Sequence, residues 1–425
     1  MNRICVHFST NRKFKKMFLL FCLIKVGLFL LLVWNCPFSQ CNGTSIHPES
    51  NSPSALDGYK HILIWNIPDR TETATFGFGH LPFVQRRCKI SKCAIFDKTS
   101  SFMPFEEYDA IIVNMLYISS SQLPRFKRKA HQRYIFLTQE PPPSMPTFIA
   151  SVGNYFNWTM TYKLNSDIQL LYGRIEPGPT APKTTEETRY LIGKTRLPSA
   201  KNYAANKTSP VAWIVSHCYT YSSRETYANE LSKYIPVDIY GKCGKSINCN
   251  RNQITWFPDP ECYDMMEAKY KFYLSFENSI CSDYVTEKFF EILSHDIIPV
   301  VYGGANYSHI APHHSYINAL DFTSPEELAQ YLKLLDSNDT LYNEYFWWKD
   351  HYRVEVGIDQ MARHGFCDLC KKLHQDEGVV KYYSESELVS NWHLNTQCRQ
   401  LTSWSAHKES VLYRLWYWFY SLFVF

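Results

Sequence analysis

Two cationic side chains occupy the same kind of position, in the first turn of a predicted helix that follows a predicted strand. Arg224 follows the apolar run Val211–Ser216, and Lys288 follows the aromatic run Phe272–Phe276. The first turn of a helix has free N–H groups and the positive end of the helix dipole, so it favours an anion. The repeated placement therefore indicates a shared anion site. The competing interpretation is a solvated arginine and a solvated Glu287–Lys288 pair.

The elements around Lys288 form a strand–loop–helix–strand unit. A polar loop over Glu277–Asp283 leads into a predicted helix over Tyr284–Ser294, with Asp283 as its N-cap. A second strand follows at Ile297–Tyr302 and ends at two glycines. Such a unit is the building block of a parallel sheet.

Further strands and helices extend this pattern along the chain. Ser222 and Glu225 have capping-box spacing at the start of the helix that carries Arg224, and Ser324 and Glu327 repeat that spacing. The segment 119–132 has the length and polarity to hold a helix between two strands. Short apolar runs predict four more buried strands. They are Ile62–Trp65, Ala110–Val113, Tyr134–Leu137 and Val237–Tyr240. Strands separated by such segments predict an α/β fold with a parallel sheet.

Glu140 is a candidate ligand-site residue by its position. It lies just beyond the predicted strand Tyr134–Leu137 and directly before three prolines. The prolines end the element and hold Glu140 at the carboxyl edge of the sheet, where α/β proteins bind ligands. The competing interpretation is an ordinary residue of a surface turn.

Composition bounds the class of protein. The 425 residues are enough for two or three domains, and the 45% hydrophobic and 16% aromatic content indicates a folded chain. The formal net charge of +4 is too weak and dispersed to indicate a nucleic-acid partner. The sequence does not indicate an oligomeric state.

The N-terminal region predicts a membrane anchor. Residues 17–34 are apolar apart from Lys25 and are long enough to span a bilayer, and basic residues precede them. Positive flanks remain in the cytosol, so the rest of the chain is expected in the lumen. A cleaved signal peptide is the competing interpretation. We therefore expect a cytoplasmic tail at 1–16, a signal anchor at 17–34 and a polar stem at 35–58.

A lumenal location predicts glycans and disulfides. The five Asn-x-Ser/Thr sequons lie at Asn42, Asn157, Asn206, Asn306 and Asn338. Twelve cysteines follow the predicted anchor, an even number that suits disulfides in an oxidising compartment. The spacing of Cys88, Cys93, Cys367 and Cys370 also fits a four-cysteine zinc site, which we rank below disulfides. The partner of Cys281 is open.

Several strings together resemble one enzyme family. Phe276–Ser279 and Asp283–Lys288 are similar to the donor-binding signature of the α1,3-fucosyltransferases, glycosyltransferase family ten, and look closest to invertebrate core-type members. Other segments extend the resemblance over roughly residues 60–375. These are Val211–Ser216 with Arg224, Asn157–Tyr162, Tyr172 with Gly173, Phe322–Pro325 and Cys367–Cys370.

The resemblance implies the GT-B architecture, in which two Rossmann-like domains face a cleft. It implies an acceptor-binding domain at 59–205, a GDP-fucose-binding domain at 206–365 and a segment at 366–425 that returns to the first domain. Residues 176–210, rich in Pro, Thr, Lys and Ala without a clear period, are predicted to link the domains. Cys88 and Cys93 are then expected to pair with Cys367 and Cys370.

The resemblance also implies roles for the candidate residues. Glu140 matches the position of the catalytic base, and Arg224 and Lys288 match contacts to the pyrophosphate of the GDP-fucose donor. Asn278, Tyr284 and Glu287 match contacts to the nucleotide and the fucose. Transfer would invert the sugar carbon in a single displacement, giving α-linked L-fucose.

The sequence contains no Asp-x-Asp pair, which metal-dependent sugar-nucleotide transferases commonly use. We therefore predict no metal cofactor, with Mn²⁺ or Mg²⁺ stimulating at most. The expected setting is the Golgi membrane, as a single-pass type II protein with its catalytic domain in the lumen.

The acceptor is predicted to be an N-glycan or glycoprotein. Many Lewis-type members carry a histidine pair where this chain has Asn114 and Met115, which favours the core GlcNAc over LacNAc antennae. Two rival hypotheses concern function itself: a transferase that uses another nucleotide sugar, and an inactive lumenal glycan-binding protein.

Overall fold

The structure is a computed structural model and describes residues 57–67, 71–116, 118–246, 260–376, 378–392 and 397–399. The predicted cytoplasmic tail, signal anchor, Asn42 and most of the stem lie outside the described residues. Within the described ranges, no helix combines the length and apolar character that a membrane span requires.

The described residues form fifteen strands and ten α-helices. The strands are β1 (Lys60–Ile64), β2 (Cys93–Asp97), β3 (Ala110–Asn114), β4 (Arg133–Thr138), β5 (Trp158–Thr161), β6 (Ile168–Gln169), β7 (Gly173–Pro177), β8 (Ser209–Ile214), β9 (Val237–Tyr240), β10 (Tyr270–Phe276), β11 (Ile280–Cys281), β12 (Ile298–Tyr302), β13 (Ile317–Asn318), β14 (Tyr352–Val356) and β15 (Cys398–Arg399). The helices are α1 (Thr71–Phe76), α2 (Leu81–Gln85), α3 (Thr185–Lys194), α4 (Arg224–Leu231), α5 (Pro260–Lys269), α6 (Glu287–Ser294), α7 (Pro325–Asp336), α8 (Asp339–Asn343), α9 (Ile358–His374) and α10 (Glu385–Trp392).

Two parallel sheets carry the fold. The first has the strand order β2-β1-β3-β4-β5-β6 and the second has the order β13-β12-β10-β8-β9. In each sheet the first strand of the chain lies between the second and the third, so the direction of strand addition reverses there. Open α/β sheets bind ligands beyond the carboxyl ends of the strands at this reversal. Two parallel α/β sheets fit the GT-B architecture.

The predicted strands are confirmed to within two residues at each end. All residues of β3, β4 and β10 are buried, as expected for parallel strands covered on both faces. The prediction that residues 119–132 could hold a helix is wrong. The helical part of this segment is a single 3₁₀ turn, Ser120–Gln122. Leu123 is extended before Pro124, a position that disfavours helix.

The predicted linker at 176–210 is more regular than expected. It contains α3, where the Thr184 hydroxyl accepts from the Glu187 N–H and Glu187 caps in return. None of the described side chains of α3 is buried. A helix without a buried face needs no apolar stripe, so the sequence lacked the signal that would have predicted it. The chain leaves the first sheet through β7 and leaves the second sheet through β14. These two strands pair with each other in antiparallel orientation.

The helix α9 packs against the first sheet. Its buried Met361, Phe366 and Leu369 share a core with residues of β1 and β4. Gly365 permits the close approach, since a Cβ there would lie 2.4 Å from Leu170 Cδ1. The disulfides Cys88–Cys367 and Cys93–Cys370 join this helix to the first sheet's region, so these sulfur atoms do not form a zinc site.

The sequons differ in accessibility. Asn157 is fully buried, and its side chain accepts from Tyr134 N at 2.8 Å and donates to Lys381 O at 2.8 Å. A glycan on Asn157 is therefore incompatible with the folded chain, contrary to the sequon prediction. Asn206 and Asn306 are exposed, and Asn338 is half-buried as the N-cap of α8.

Candidate active site

The helix α6 begins three residues later than predicted. Thr286 is its N-cap, while Asp283 lies upstream with φ +60° in the left-handed region. The cap is supplied from the end of β10, because Glu277 Oε1 accepts from the Thr286 N–H at 2.8 Å. Glu277 Oε2 also accepts from the Thr286 hydroxyl at 2.9 Å. A buried carboxylate thus fixes the start of the helix, and the prediction of Asp283 as N-cap was wrong.

Lys288 lies between two carboxylates. Its ammonium is 2.8 Å from Glu287 Oε1 and 3.6 Å from Glu277 Oε2, and it donates to the Thr286 hydroxyl at 2.8 Å. The Glu277 side chain is fully buried, while a quarter of the Lys288 side chain is exposed. The ammonium is therefore held in place at a surface that a ligand can reach.

Charges within this cluster shift its pKa values in opposite directions. Burial raises the pKa of Glu277 above its ordinary value despite the neighbouring Lys288. Burial acts the same way on Glu287, yet Lys288 outweighs it and lowers the pKa of Glu287. Burial would lower the pKa of Lys288, but Glu287 and Glu277 raise it overall. Lys288 is therefore a firmly charged cation beside an ionised Glu287.

The predicted capping box at Ser222 and Glu225 is not formed. The helix α4 begins at Arg224 behind Ser223, which has φ +52° and caps no backbone group. The Ser222 hydroxyl instead donates to Glu277 O at 2.7 Å, and Glu225 Oε2 accepts from the Thr220 hydroxyl at 3.0 Å. The long-range bond from Ser222 brings the start of α4 against the end of β10.

Arg224 is almost fully buried, with 3% of its surface exposed. Its guanidinium lies 5.6 Å from the centre of the Trp213 ring and donates to the carbonyl groups of Phe276 and His217. Its Nε has no hydrogen-bond partner among the described residues. Burial lowers the pKa of Arg224, and Glu277 is the strongest opposing influence.

Asn278 and Tyr284 lie in the loop between β10 and α6. The Asn278 backbone accepts from Ser222 N, while its side-chain Oδ1 is buried and has no partner among the described residues. Tyr284 is buried, and its ring contacts Tyr162 of the first sheet's region edge-on at 5.0 Å between ring centres. The loop thus connects the end of β10 with the end of β5.

Glu140 is half-buried just beyond β4. The extended Pro141 and a 3₁₀ turn at Pro142–Ser144 follow it, as the proline run predicted. Burial raises the pKa of Tyr284 well above its usual value, and the Glu140 carboxylate adds to that shift. The structure therefore brings Glu140 within electrostatic reach of the loop that precedes Lys288.

A short C-terminal strand covers the same loop. The strand β15 pairs with β11, and Cys281 forms a disulfide with Cys398. Gln397 adds two contacts, since its carbonyl accepts from Ser282 N at 2.8 Å and its side chain accepts from the Lys163 ammonium at 2.6 Å. We call residues 397–399 the C-terminal clasp. It provides the partner of Cys281 that the sequence left open.

Sequence reasoning overlooked Glu277 as a functional candidate. A carboxylate directly after a fully buried strand is costly unless a partner compensates it, and this was the available signal. The role of Tyr162 and the clasp gave no comparable signal, because their contacts depend on distant segments.

Comparisons with known proteins agree over most of the chain. The family model described as "Glycosyltransferase family 10 (fucosyltransferase) C-term" matches residues 204–392, and "Fucosyltransferase, N-terminal" matches residues 57–173. The chain is 38% identical over 325 residues to "Alpha-(1,3)-fucosyltransferase C" of Drosophila melanogaster, covering 73% of this chain and 71% of that relative.

Two further relatives and one solved structure extend the comparison. "Glycoprotein 3-alpha-L-fucosyltransferase A" of Drosophila melanogaster is 32% identical over 83% of this chain, which spans only 63% of that relative. "4-galactosyl-N-acetylglucosaminide 3-alpha-L-fucosyltransferase FUT6" of Homo sapiens is 32% identical over 85% of this chain and 96% of its own length. A solved α1,3-fucosyltransferase with GDP-fucose aligns at a TM-score of 0.45 and 14% identity, covering 76% of this chain and 92% of that one. The chain therefore belongs to glycosyltransferase family 10 and is an α1,3-fucosyltransferase.

Proposed function

We propose that this enzyme transfers L-fucose from GDP-β-L-fucose to O3 of the core GlcNAc residue of glycoprotein N-glycans, with inversion. The observation that carries the proposal is the charged cluster of Glu277, Glu287 and Lys288 beside Arg224. The cluster lies at the reversal point of the second sheet and at a helix N-terminus. That combination suits the diphosphate of a nucleotide sugar.

The donor is held by residues from both sides of the reversal point. Lys288 presents its charge to the diphosphate. The Arg224 Nε–H, which has no partner among the described residues, is available to donate a hydrogen bond to a phosphate oxygen. Asn278 and Tyr284 contact the nucleotide and fucose side. The Asn278 Oδ1 without a partner supports that assignment, because a buried acceptor favours a ligand that supplies a donor.

The chemical step needs a base and a charge sink. Glu140 takes the proton from the acceptor O3, which forms its bond to the fucose C1 as the bond from C1 to the diphosphate oxygen breaks. Lys288 and Arg224 compensate the charge on the departing GDP, and Glu287 steadies the positive charge on the sugar ring. Both cations are preorganised by their contacts with Glu277, Glu287 and backbone carbonyl groups, so little reorganisation accompanies the step.

Two relatives point to different acceptors. The name of the Drosophila glycoprotein 3-alpha-L-fucosyltransferase A supports a glycoprotein acceptor, and Asn114-Met115 in place of a histidine pair favours the N-glycan core. The name of the human relative FUT6 makes a LacNAc antenna the rival acceptor. We favour the core because Asn114-Met115 replaces the histidine pair of many Lewis-type members.

The cellular setting belongs to the same proposal. We place the enzyme in the Golgi membrane, anchored by residues 17–34 with its catalytic region in the lumen. Disulfides such as Cys88–Cys367 and Cys281–Cys398 support an oxidising compartment. Microscopy of the full chain with a tag at either terminus, with and without selective permeabilisation, tests location and orientation together.

An acceptor panel tests the reaction. The full chain is incubated with GDP-fucose and either a trimannosyl-chitobiose glycopeptide or a LacNAc oligosaccharide, and products are resolved by mass spectrometry and linkage analysis. We expect α1,3-fucose on the Asn-linked GlcNAc of the glycopeptide. Transfer to LacNAc alone would overturn the core assignment. A parallel incubation with UDP-sugars tests the donor, and transfer from a UDP-sugar but not from GDP-fucose would overturn the donor assignment. Incubations without GDP-fucose provide the negative control.

A further inference from the structure

A cavity of about 250 Å³ lies beside the proposed active site. Its walls come from the region of β5–β7 on one side and from the loop before α6, α6 itself and the following 3₁₀ turn on the other. Its polar lining consists of Tyr162, Gln169, Arg174, Glu176, Asp283 and His309. None of the roles assigned to the donor-binding and catalytic residues uses this space, which has the volume of about one sugar residue.

The cavity adjoins the proposed base through one aromatic side chain. Tyr162 lines the cavity, and its ring contacts Tyr284 at 5.0 Å between ring centres. Burial raises the pKa of Tyr162, and the carboxylates of Asp283 and Glu140 both add to that shift. Tyr162 therefore interacts with a carboxylate of the cavity and with the proposed base. The cavity and the proposed base are therefore separated by the side chain of Tyr162, which acts electrostatically with both.

Arg174 indicates that the cavity binds a ligand. Its side chain is half-buried and makes no hydrogen bond or ion pair with another described residue. Its Nε is buried without a partner. A buried donor left unpaired is destabilising, so such groups are usually satisfied by a ligand or by water.

The charge and shape of the lining select a neutral sugar over an anion. The carboxylates of Glu176 and Asp283 offset the single guanidinium of Arg174, which disfavours a phosphate or carboxylate ligand. Leu171, Ile175 and other apolar side chains form the rest of the wall. A pyranose ring matches this mixture, because it presents C–H groups on its faces and hydroxyl groups at its rim.

We propose that the cavity is an acceptor subsite, which binds a neutral sugar residue of the glycan adjacent to the reacting GlcNAc. Arg174 donates to hydroxyl oxygens of that residue, and Glu176 accepts from them. This inference rests on the proposed function and adds a subsite that distinguishes long acceptors from short ones. The subsite acts on acceptor binding and leaves donor binding unchanged.

Arg174→Ala tests the subsite. Steady-state kinetics are measured with saturating GDP-fucose and two acceptors, the trimannosyl-chitobiose glycopeptide and the same peptide carrying a single GlcNAc. We expect KM for the long acceptor to rise about tenfold, the change that corresponds to the loss of one good hydrogen bond. The kcat/KM for the short acceptor and the KM for GDP-fucose should stay within about twofold of wild type, because neither ligand makes that hydrogen bond.

Arg196→Ala is the matched control. Arg196 does not line the cavity, forms an ion pair with Glu344, and has 58% of its side chain exposed. This variant should leave KM and kcat/KM for both acceptors unchanged. Equal melting temperatures of the two variants would show that Arg174→Ala remains folded. Equal losses with both acceptors, no loss with either, or a rise in KM for GDP-fucose would each overturn the subsite. Failure of the proposed function is separate, because wild type would then not fucosylate the core acceptor.

Discussion

The carboxyl edges of the two sheets carry different chemistry although the sheets share one strand order. The edge of the second sheet holds a buried, charged cluster made of Glu277, Thr286, Glu287 and Lys288. The edge of the first sheet presents Glu140, whose carboxylate acts electrostatically on the buried Tyr162. The same connectivity therefore accommodates both the proposed diphosphate site in one half and the proposed sugar-hydroxyl site in the other.

The two edges also differ in how they are assembled. The cluster of the second sheet lies within residues 277–288, so one stretch of chain sets most of its geometry. The edge of the first sheet depends on distant segments: Met361 of α9 contacts Gln139 beside Glu140, and the hydroxyl group of Tyr383 lies 3.3 Å from that of Thr159. We expect substitutions near Lys288 to disturb only their immediate surroundings. The position of Glu140, in contrast, should also respond to substitutions in the C-terminal region.

The largest expected effect is that of removing the proposed base. Glu140→Gln keeps the shape of the side chain and removes its basicity, so kcat should fall about 10²–10⁴-fold. GDP affinity, set at the other sheet, should hardly change. Steady-state kinetics and GDP titration by calorimetry measure the two quantities. Glu107→Gln, at a surface ion pair with Lys129 in the same half, is the matched control. A kcat within a few-fold of wild type would make Glu140 an ordinary turn residue.

A slightly smaller loss is expected from Lys288→Ala. The ammonium meets the diphosphate in the ground state and in the transition state, so KM for GDP-fucose should rise and kcat should fall together. We expect kcat/KM to drop on the order of 10²–10³-fold, as for loss of one preorganised charge-stabilising group. Lys233→Ala, at an exposed pair with Glu230 in the same half, should leave the kinetics unchanged. Wild-type kinetics for Lys288→Ala would place this lysine on a solvated face.

The third effect compares two disulfides. Replacing Cys281 and Cys398 by serine frees the loop before α6 from the C-terminal clasp, so KM for GDP-fucose should rise several-fold. Replacing Cys88 and Cys367 removes a cross-link of the first half and should leave that KM unchanged. Each pair should lower the free energy of unfolding by about 2–4 kcal/mol. Equal KM values for the two double variants would show that the clasp does not position the donor loop.

Features set by neighbouring residues could be predicted from the sequence, whereas features set by contacts between distant residues could not. The strands and the helix with Lys288 could be predicted, because burial and spacing are local signals. The start of α6 was misplaced because its cap comes from Glu277, across the loop. The capping box at Ser222 failed because that hydroxyl binds the carbonyl of Glu277, 55 residues away in the chain. The buried state of Asn157 likewise depends on Lys381, which no local pattern indicates.

A fourth, smaller effect concerns the pH dependence of stability. Burial and the neighbouring Glu287 raise the pKa of Glu291 from 4.5 to about 7. A carboxyl with a higher pKa in the folded chain binds its proton more tightly when folded. The contribution of Glu291 to the free energy of unfolding is therefore fully present below pH 4.5 and is lost as the pH rises through about 7. The loss should be roughly 1–3 kcal/mol at pH 8.

Glu291→Gln should remove this part of the decline. Denaturant unfolding at pH 5 and at pH 8 measures it, and the difference between the two pH values should shrink for Glu291→Gln relative to wild type. Glu107→Gln, a surface change in the first half, should keep the wild-type difference. An unchanged difference in Glu291→Gln would show that this carboxyl titrates in its ordinary range.

The smallest expected effect is that of removing divalent ions. In the proposed mechanism Lys288 and Arg224 supply the positive charge that a metal would otherwise bring to the diphosphate, and the chain contains no Asp-x-Asp pair. Among the described residues, one group with metal-ligand spacing is Asp264, Glu267 and His295, and it includes neither Glu277 nor Glu287. Turnover in excess EDTA should therefore stay within about twofold of the untreated enzyme, a change well below the 10²-fold expected for loss of a charge-stabilising group. Added Mn²⁺ or Mg²⁺ should stimulate only modestly. Complete loss in EDTA with recovery on Mn²⁺ alone would mean that the two cations do not suffice for departure of the diphosphate.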